Sequence, residues 1–184
     1  MSLSTSTRTD THGGATSRPL PPHSGQDLGL LVLRWGVGLT MAAHGSQKLF
    51  GWFGGGGLDG TAAFFEGNGY TAARTMAVVA GLTEVLCGLG LVVGLLTPLA
   101  GAGIVGIMLN VIAMKWGDGF FSPAGIEFEL LLLVGATSLA LAGPGRIAAD
   151  RLLPVLRTHR LSHGAAAVAL GAAAAGLVLV TLRT

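Results

Sequence analysis

The polar residues that interrupt otherwise apolar stretches carry the chemistry open to this chain. They are Arg34, His44 and Lys48 in one run, Glu84 in a second, Asn110 in a third, and one of Glu127 or Glu129 in a fourth. A histidine, a lysine and carboxylates held near one another can donate and accept protons during a reaction. Quinone reduction takes up protons, so a polar pocket of this composition, reachable from lipid, suits a quinone ring. The same residues could hold another small amphipathic molecule, or could serve only to fasten helices together.

Spacing groups these residues. At about 100° per residue on a helix, Gly38, Met41, Gly45, Lys48 and Trp52 fall within roughly 40° of Arg34, with His44 at the edge of the stripe. The charges therefore share one face with small residues, and that face is expected to pack against other helices. Glu84 is flanked on its own face by Gly81 and Gly88, which would tuck it against a neighbouring backbone. It needs a partner, and Arg34 is the expected one, with His44 second. A buried ion pair of this kind can serve only to fix helix register. Asn110 fits a helix–helix hydrogen bond as well as a ligand contact. Glu127 and Glu129 lie about 200° apart, so one faces the seam. Both fall in a first helical turn, where a carboxylate suits the positive dipole end. Glu127 shares a stripe with Ser138, which favours it slightly on geometry.

Several chemistries are excluded. The single cysteine, Cys87, allows no internal disulfide, paired-cysteine redox motif or iron–sulfur site. A bis-histidine haem needs two histidines in apolar runs, and only His44 qualifies, because His12, His23, His159 and His163 lie elsewhere. The GGGG at 54–57 lacks a following Lys-Ser/Thr and is no phosphate loop. No cluster has zinc-ligand spacing, and the scattered basic residues leave no nucleic-acid footprint. Electrons for a redox reaction would have to come from a partner protein.

The elements that position these residues are apolar helices. The chain has 184 residues, of which 51% are hydrophobic and only 11% charged, against about a quarter charged in a soluble globule. Mean hydropathy is +0.67, and 31 glycines suit close helix packing in lipid. Five apolar runs, at 28–50, 76–96, 99–115, 126–142 and 164–182, approach the roughly 20 residues that a membrane span needs. Thr97 and Pro98 alone separate the second and third, which predicts a tight hairpin with Pro98 starting the third helix. Residues 1–27 read as a disordered polar tail without the pattern of a cleaved signal. Residues 51–75 and 143–163 read as long loops.

Arg8, Arg18, Arg146, Arg151, Arg157 and Arg160 fall on one side of this arrangement, and Lys48, Arg74, Lys115 and Arg183 on the other. That excess places the amino terminus in the cytoplasm. The aromatics gather at the opposite end, among them Phe50, Trp52, Phe53, Phe64, Phe65, Tyr70, Trp116, Phe120 and Phe121. They read as an interfacial belt or as a two-loop lid over the mouth of the bundle.

Three segments taken in order resemble the DoxX family of small bacterial membrane proteins: LRWGVGLTMAAHGSQKLFG, GLTEVLCGLGLVVGLLTPLAG and GIEFELLLLVGATSLALAGPGRIAAD. The resemblance covers roughly residues 28–152. It implies a four-helix core, closed by Gly-Pro-Gly and Asp150, in the bacterial plasma membrane. By it, Arg34, Gly45, Lys48, Glu84 and Glu129 occupy motif positions, which favours Glu129 over Glu127. It links relatives to quinone-coupled sulfur oxidation and to oxidoreductase complexes. Residues 153–163 then form a basic loop and 164–184 an added helix for packing or homo-oligomerisation.

The sequence thus predicts an all-α membrane protein with a four-helix transmembrane core and an additional C-terminal helix. The leading functional expectation is a quinone-interacting subunit of an oxidoreductase system, with no intrinsic cofactor or metal. His44, Glu84 and Glu129 would be its acid–base groups, and Arg34, Lys48, Asn110 and Trp52 its ligand contacts. The alternative is a non-catalytic membrane anchor or scaffold for a soluble redox partner. Transport is disfavoured by the lack of repeated halves.

Overall fold

The computed structural model describes residues 24–121, 123–153 and 159–183, and it is all-helical. Its α-helices are α1 (Ser24–Phe50), α2 (Gly57–Gly67), α3 (Ala73–Val93), α4 (Thr97–Met114), α5 (Glu127–Ala142) and α6 (Leu161–Leu182). Two single 3-10 turns lie at Trp52–Gly54 and Ala149–Leu152.

Four of these helices, α1, α3, α4 and α6, are long and apolar enough to cross a membrane. The sequence suggests a fifth span, and α5, with 16 residues, is shorter than that. It still runs between the same two ends of the bundle. Lys115, just past the end of α4, pairs with Glu129 at the start of α5, and Gly164 in the first turn of α6 packs against Ala140 near the end of α5.

The longest interface joins α1 to α3, and glycines set it. A Cβ at Gly38 would lie 2.6 Å from the Gly88 carbonyl oxygen, and one at Gly45 2.6 Å from that of Gly81. The two backbones therefore touch, as small residues allow between helices in lipid, where van der Waals contact rather than hydrophobic burial drives association. Beside this contact, Val37, Met41, Leu91, Ile104, Met108, Leu132 and Leu139 form the core shared by α1, α3, α4 and α5.

Arg34 and Asp150 organise one end, here called the tail end because residue 24 lies there. The Arg34 side chain is buried and donates to four carbonyls, those of Leu91 (2.9 Å), Val92 (3.2 Å), Pro144 (2.6 Å) and Ile147 (2.8 Å). It thus joins α1 to the end of α3 and to the loop after α5. The expected Arg34–Glu84 pair does not form. The guanidinium instead joins the Gly94 N–H and the Trp35 indole N–H in satisfying carbonyls at the end of α3, and it reaches two more in the loop after α5. Asp150 accepts from the backbone N–H of Leu96 (2.6 Å) and Thr97 (3.1 Å). It caps α4 from a distant part of the chain and holds Leu96 in the left-handed region, φ 51, that a leucine otherwise avoids.

Two loop expectations change. Residues 24–27, placed by sequence in the polar tail, form the first turn of α1, and Asp27 accepts from the Arg146 backbone N–H at 2.7 Å. The remainder of that tail, 1–23, lies outside the described residues, as do 154–158 of the basic loop. The long 51–75 connection contains α2, which packs on α3 and α1 and buries Phe65. Two residues after α2, Asn68 and Gly69, give way to Tyr70, whose backbone pairs with Arg183 beyond α6.

Candidate functional site

Lys48 and Glu84 form the centre of the site. Lys48 lies in the last turn of α1, where a cation suits the negative dipole end. Glu84 lies halfway along α3. The ammonium donates to both carboxylate oxygens, at 2.8 and 2.7 Å. The Glu84 side chain is 1% exposed and that of Lys48 24%. An ionised carboxylate so buried would be very costly alone, and the pairing makes it tolerable. Lys48 keeps a third N–H, and its partial exposure opens toward a cavity.

That cavity has a volume of about 370 Å³ and lies among α2, α3, α4 and α6. Its polar groups are Lys48, Tyr70 and Asn110 toward the aromatic end and Thr83 and Glu84 at mid-depth. The rest of its wall is apolar and includes Phe64 and Phe65 of α2, the latter packed edge-on against Tyr70. The Tyr70 hydroxyl donates to the Asn110 side-chain oxygen at 3.0 Å, and the Asn110 amide donates to the Gly106 carbonyl at 3.0 Å. Tyr70 stands outside the spanning helices. Burial pushes its phenol above the usual value, and nearby Arg183 partly offsets this. Tyr70 is therefore a neutral hydrogen-bonding group at physiological pH. A concave, mainly apolar space with a few convergent polar groups is the usual form of a small-molecule site.

The structure separates the residues that sequence would group. Lys48, Glu84 and Asn110 meet at the cavity. Arg34 is at the tail end, engaged with carbonyls. His44 turns toward α5, where its ring centroid lies 5.6 Å from that of Phe128. Its Nδ1 is 2.9 Å from the Thr40 carbonyl, which can only accept, so Nδ1 carries the proton. Trp52 is exposed and packs on Phe50 and Phe53. Of the two first-turn glutamates, Glu129 turns inward, with its side chain 12% exposed, and pairs with Lys115 at 2.8 Å. Its second oxygen is buried with no hydrogen-bond partner among the described residues. Glu127 is half-buried.

Two contributors escape a reading of spacing alone. Tyr70 follows a glycine-rich turn, and nothing in the pattern ties it to Asn110, 40 residues away. Helix α6 supplies a whole wall of the cavity and is fastened at its far end. There the Thr71 N–H donates to the Leu182 carbonyl at 3.0 Å, and Arg183 donates to the carbonyls of Asn68 (3.1 Å) and Ala113 (3.0 Å). For the Lys48–Glu84 pair a sequence signal does exist. Gly38 and Gly45 are seven residues apart, as are Gly81 and Gly88, and these glycines face one another. That antiparallel register sets Arg34 beside Val92 and leaves Lys48 to reach Glu84.

Residues 29–116 match the model of the DoxX family. The matched segment runs from α1 through α4 and includes Lys48, Glu84, Tyr70 and Asn110. Glu129, all of α5 and all of α6 lie beyond it. No curated protein and no solved structure matches the chain.

Proposed function

We propose that this multi-pass membrane protein, which carries a DoxX family domain over residues 29–116, is a quinone-binding subunit of an oxidoreductase system in the bacterial plasma membrane. The observation that carries this reading is the buried Lys48–Glu84 pair opening onto an apolar cavity that lies within the membrane-spanning helices. A quinone held there would supply the redox chemistry, a two-electron, two-proton reduction to the quinol with electrons from a partner oxidoreductase.

The chain's own residues would handle binding and protons. The spare N–H of Lys48 would hold a ring carbonyl oxygen and stabilise charge that develops there. Glu84, a carboxylate hydrogen-bonded to the same ammonium, would hold Lys48 in its protonated, charged form and fix its position at that oxygen. The Tyr70 hydroxyl, held by Asn110, would orient the ring. His44 and Glu129, the other expected acid–base groups, stand away from the cavity and would act on helix packing. The distribution of basic residues along the sequence would put the amino terminus in the cytoplasm, and the aromatic end of the cavity would then lie toward the outer leaflet.

One observation favours a second reading, a scaffold without turnover. Lys48 satisfies both oxygens of Glu84, as a purely structural pair would. Quinone extraction and mass spectrometry of protein purified in mild detergent separate the two. Near-stoichiometric quinone in the wild type, lost in a Glu84→Gln protein that still elutes as a folded species, is the result expected of a quinone subunit. Quinone at the level of co-purifying lipid in both proteins would leave the scaffold reading.

A further inference from the structure

We infer that the cavity is a lateral groove which a long-chain quinone enters from the bilayer between α3 and α6, with its isoprenoid chain lying along α4. This rests on the reading above that the ligand is a quinone. The shape of the lining carries the inference. Leu99, Gly103, Gly106, Asn110 and Met114 all face the cavity, at spacings of three and four that mark one face of α4 from its first turn to its last. At 1.5 Å per residue that face is about 22 Å long, several times the width of a quinone ring.

The groove is open on its bilayer side. Helices α3 and α6 each pack against α4 and barely touch one another. Val79 of α3, Leu99 of α4 and Leu170 of α6 line it and are themselves exposed, as expected of a rim in contact with lipid. At the other end Phe65 of α2 lines the groove and packs edge-on against Tyr70, with 4.9 Å between ring centroids.

The distribution of polarity selects the occupant. Hydrogen-bonding groups run from the aromatic end to mid-depth, where Thr83 and Glu84 stand, and the lining beyond them toward the tail end is apolar, so the ligand has one polar head and one apolar chain. The head must reach Glu84, halfway along a spanning helix. That depth excludes the bulky charged headgroup of a phospholipid and suits an uncharged ring. An apolar chain gains little on passing from lipid into an apolar groove, so the head supplies the affinity and the groove supplies the path. Helix α6, beyond the family match, completes that path. Arg183 and the backbone pairing at Tyr70 hold it in place.

The test uses the full chain in detergent, with decyl-ubiquinone and the same ring lacking a tail as probes, and measures binding of each by equilibrium dialysis. Ala174→Trp fills the groove from α6 at an exposed position. Leu170→Trp repeats the plug nearer the tail end, and Leu177→Trp puts the same bulk on α6 away from the groove. Either plug is expected to weaken decyl-ubiquinone binding by about tenfold or more, with the tail-less ring and the Leu177→Trp protein unchanged. Plugs that leave decyl-ubiquinone binding intact, or weaken both probes alike, overturn the lateral groove while a ring site stands. If the wild type binds neither probe, the quinone reading itself fails, and the groove falls with it.

Discussion

Replacing Lys48 with methionine removes the cation paired with Glu84, a carboxylate that is 1% exposed. Breaking one partner of a buried ion pair costs about 3–5 kcal/mol, because it leaves an uncompensated charge. Lys48 is 24% exposed, so water can follow the vacated ammonium, and the lower figure, about 3 kcal/mol, is the one expected. For a chain of this length that corresponds to a fall in Tm of roughly 6–12 °C. Replacing the pair together, Lys48→Met with Glu84→Leu, removes the stranded charge as well. It is expected to return to within about 1 kcal/mol of the wild type, since buried pairs exchanged for apolar residues are often neutral. Circular-dichroism melts in one detergent, run on all the variants of the cycle, read both effects. A Lys48→Met protein that melts with the wild type would refute the claim that this pair secures α1 to α3. A double variant that falls as far as the two single changes combined would refute the stranded-charge account. The double variant also separates roles, because it is expected to fold and to retain no quinone.

Arg34→Met leaves the Pro144 and Ile147 carbonyls at the tail end without their donor, while those of Leu91 and Val92 keep the Gly94 N–H and the Trp35 indole N–H. At about 1–3 kcal/mol for each group left unsatisfied, the expected outcome is loss of the monodisperse species in size-exclusion chromatography, with Arg34→Lys rescuing only in part because an ammonium lacks the guanidinium's reach and fork. Gly45→Leu drives a side chain into the Gly81 and Val85 backbone and is expected to abolish folded yield, whereas Gly36→Leu, at a position with open space around it, is tolerated. Tyr70 is the only tyrosine, so the near-ultraviolet absorbance of its phenolate can be followed without ambiguity. Its midpoint in the folded protein is expected above the ordinary value near 10. Because the native value is the raised one, the stability linked to this group is fully present below the unfolded value and is lost as pH rises through the native one.

How much of this was legible in the residues follows from what a helical pattern encodes. Long apolar runs, abundant glycine and few charges sufficed for an all-helical membrane protein, because lipid leaves a spanning backbone no partners outside itself. The 100° rotation per residue placed Arg34, Gly38, Gly45 and Lys48 on one face of α1, and that face does pack on α3. Rotation says nothing of depth along a neighbour. The choice between Arg34 and Lys48 as the partner of Glu84 was decided by the contact of Gly38 with Gly88 and Gly45 with Gly81. In that register Arg34 stands beside Val92, eight residues or about 12 Å along α3 from Glu84. Side chains also tilt toward the amino end of their own helix. In an antiparallel pair this turns Lys48 and Glu84 toward each other and carries Arg34 away, onto the carbonyls at the end of α3. The role of α6 was equally out of reach of the sequence. A run of alanine, glycine, leucine and valine can span a membrane in any location, and only its seating on α4, with Arg183 fastened at the Tyr70 end, makes it one wall of the cavity.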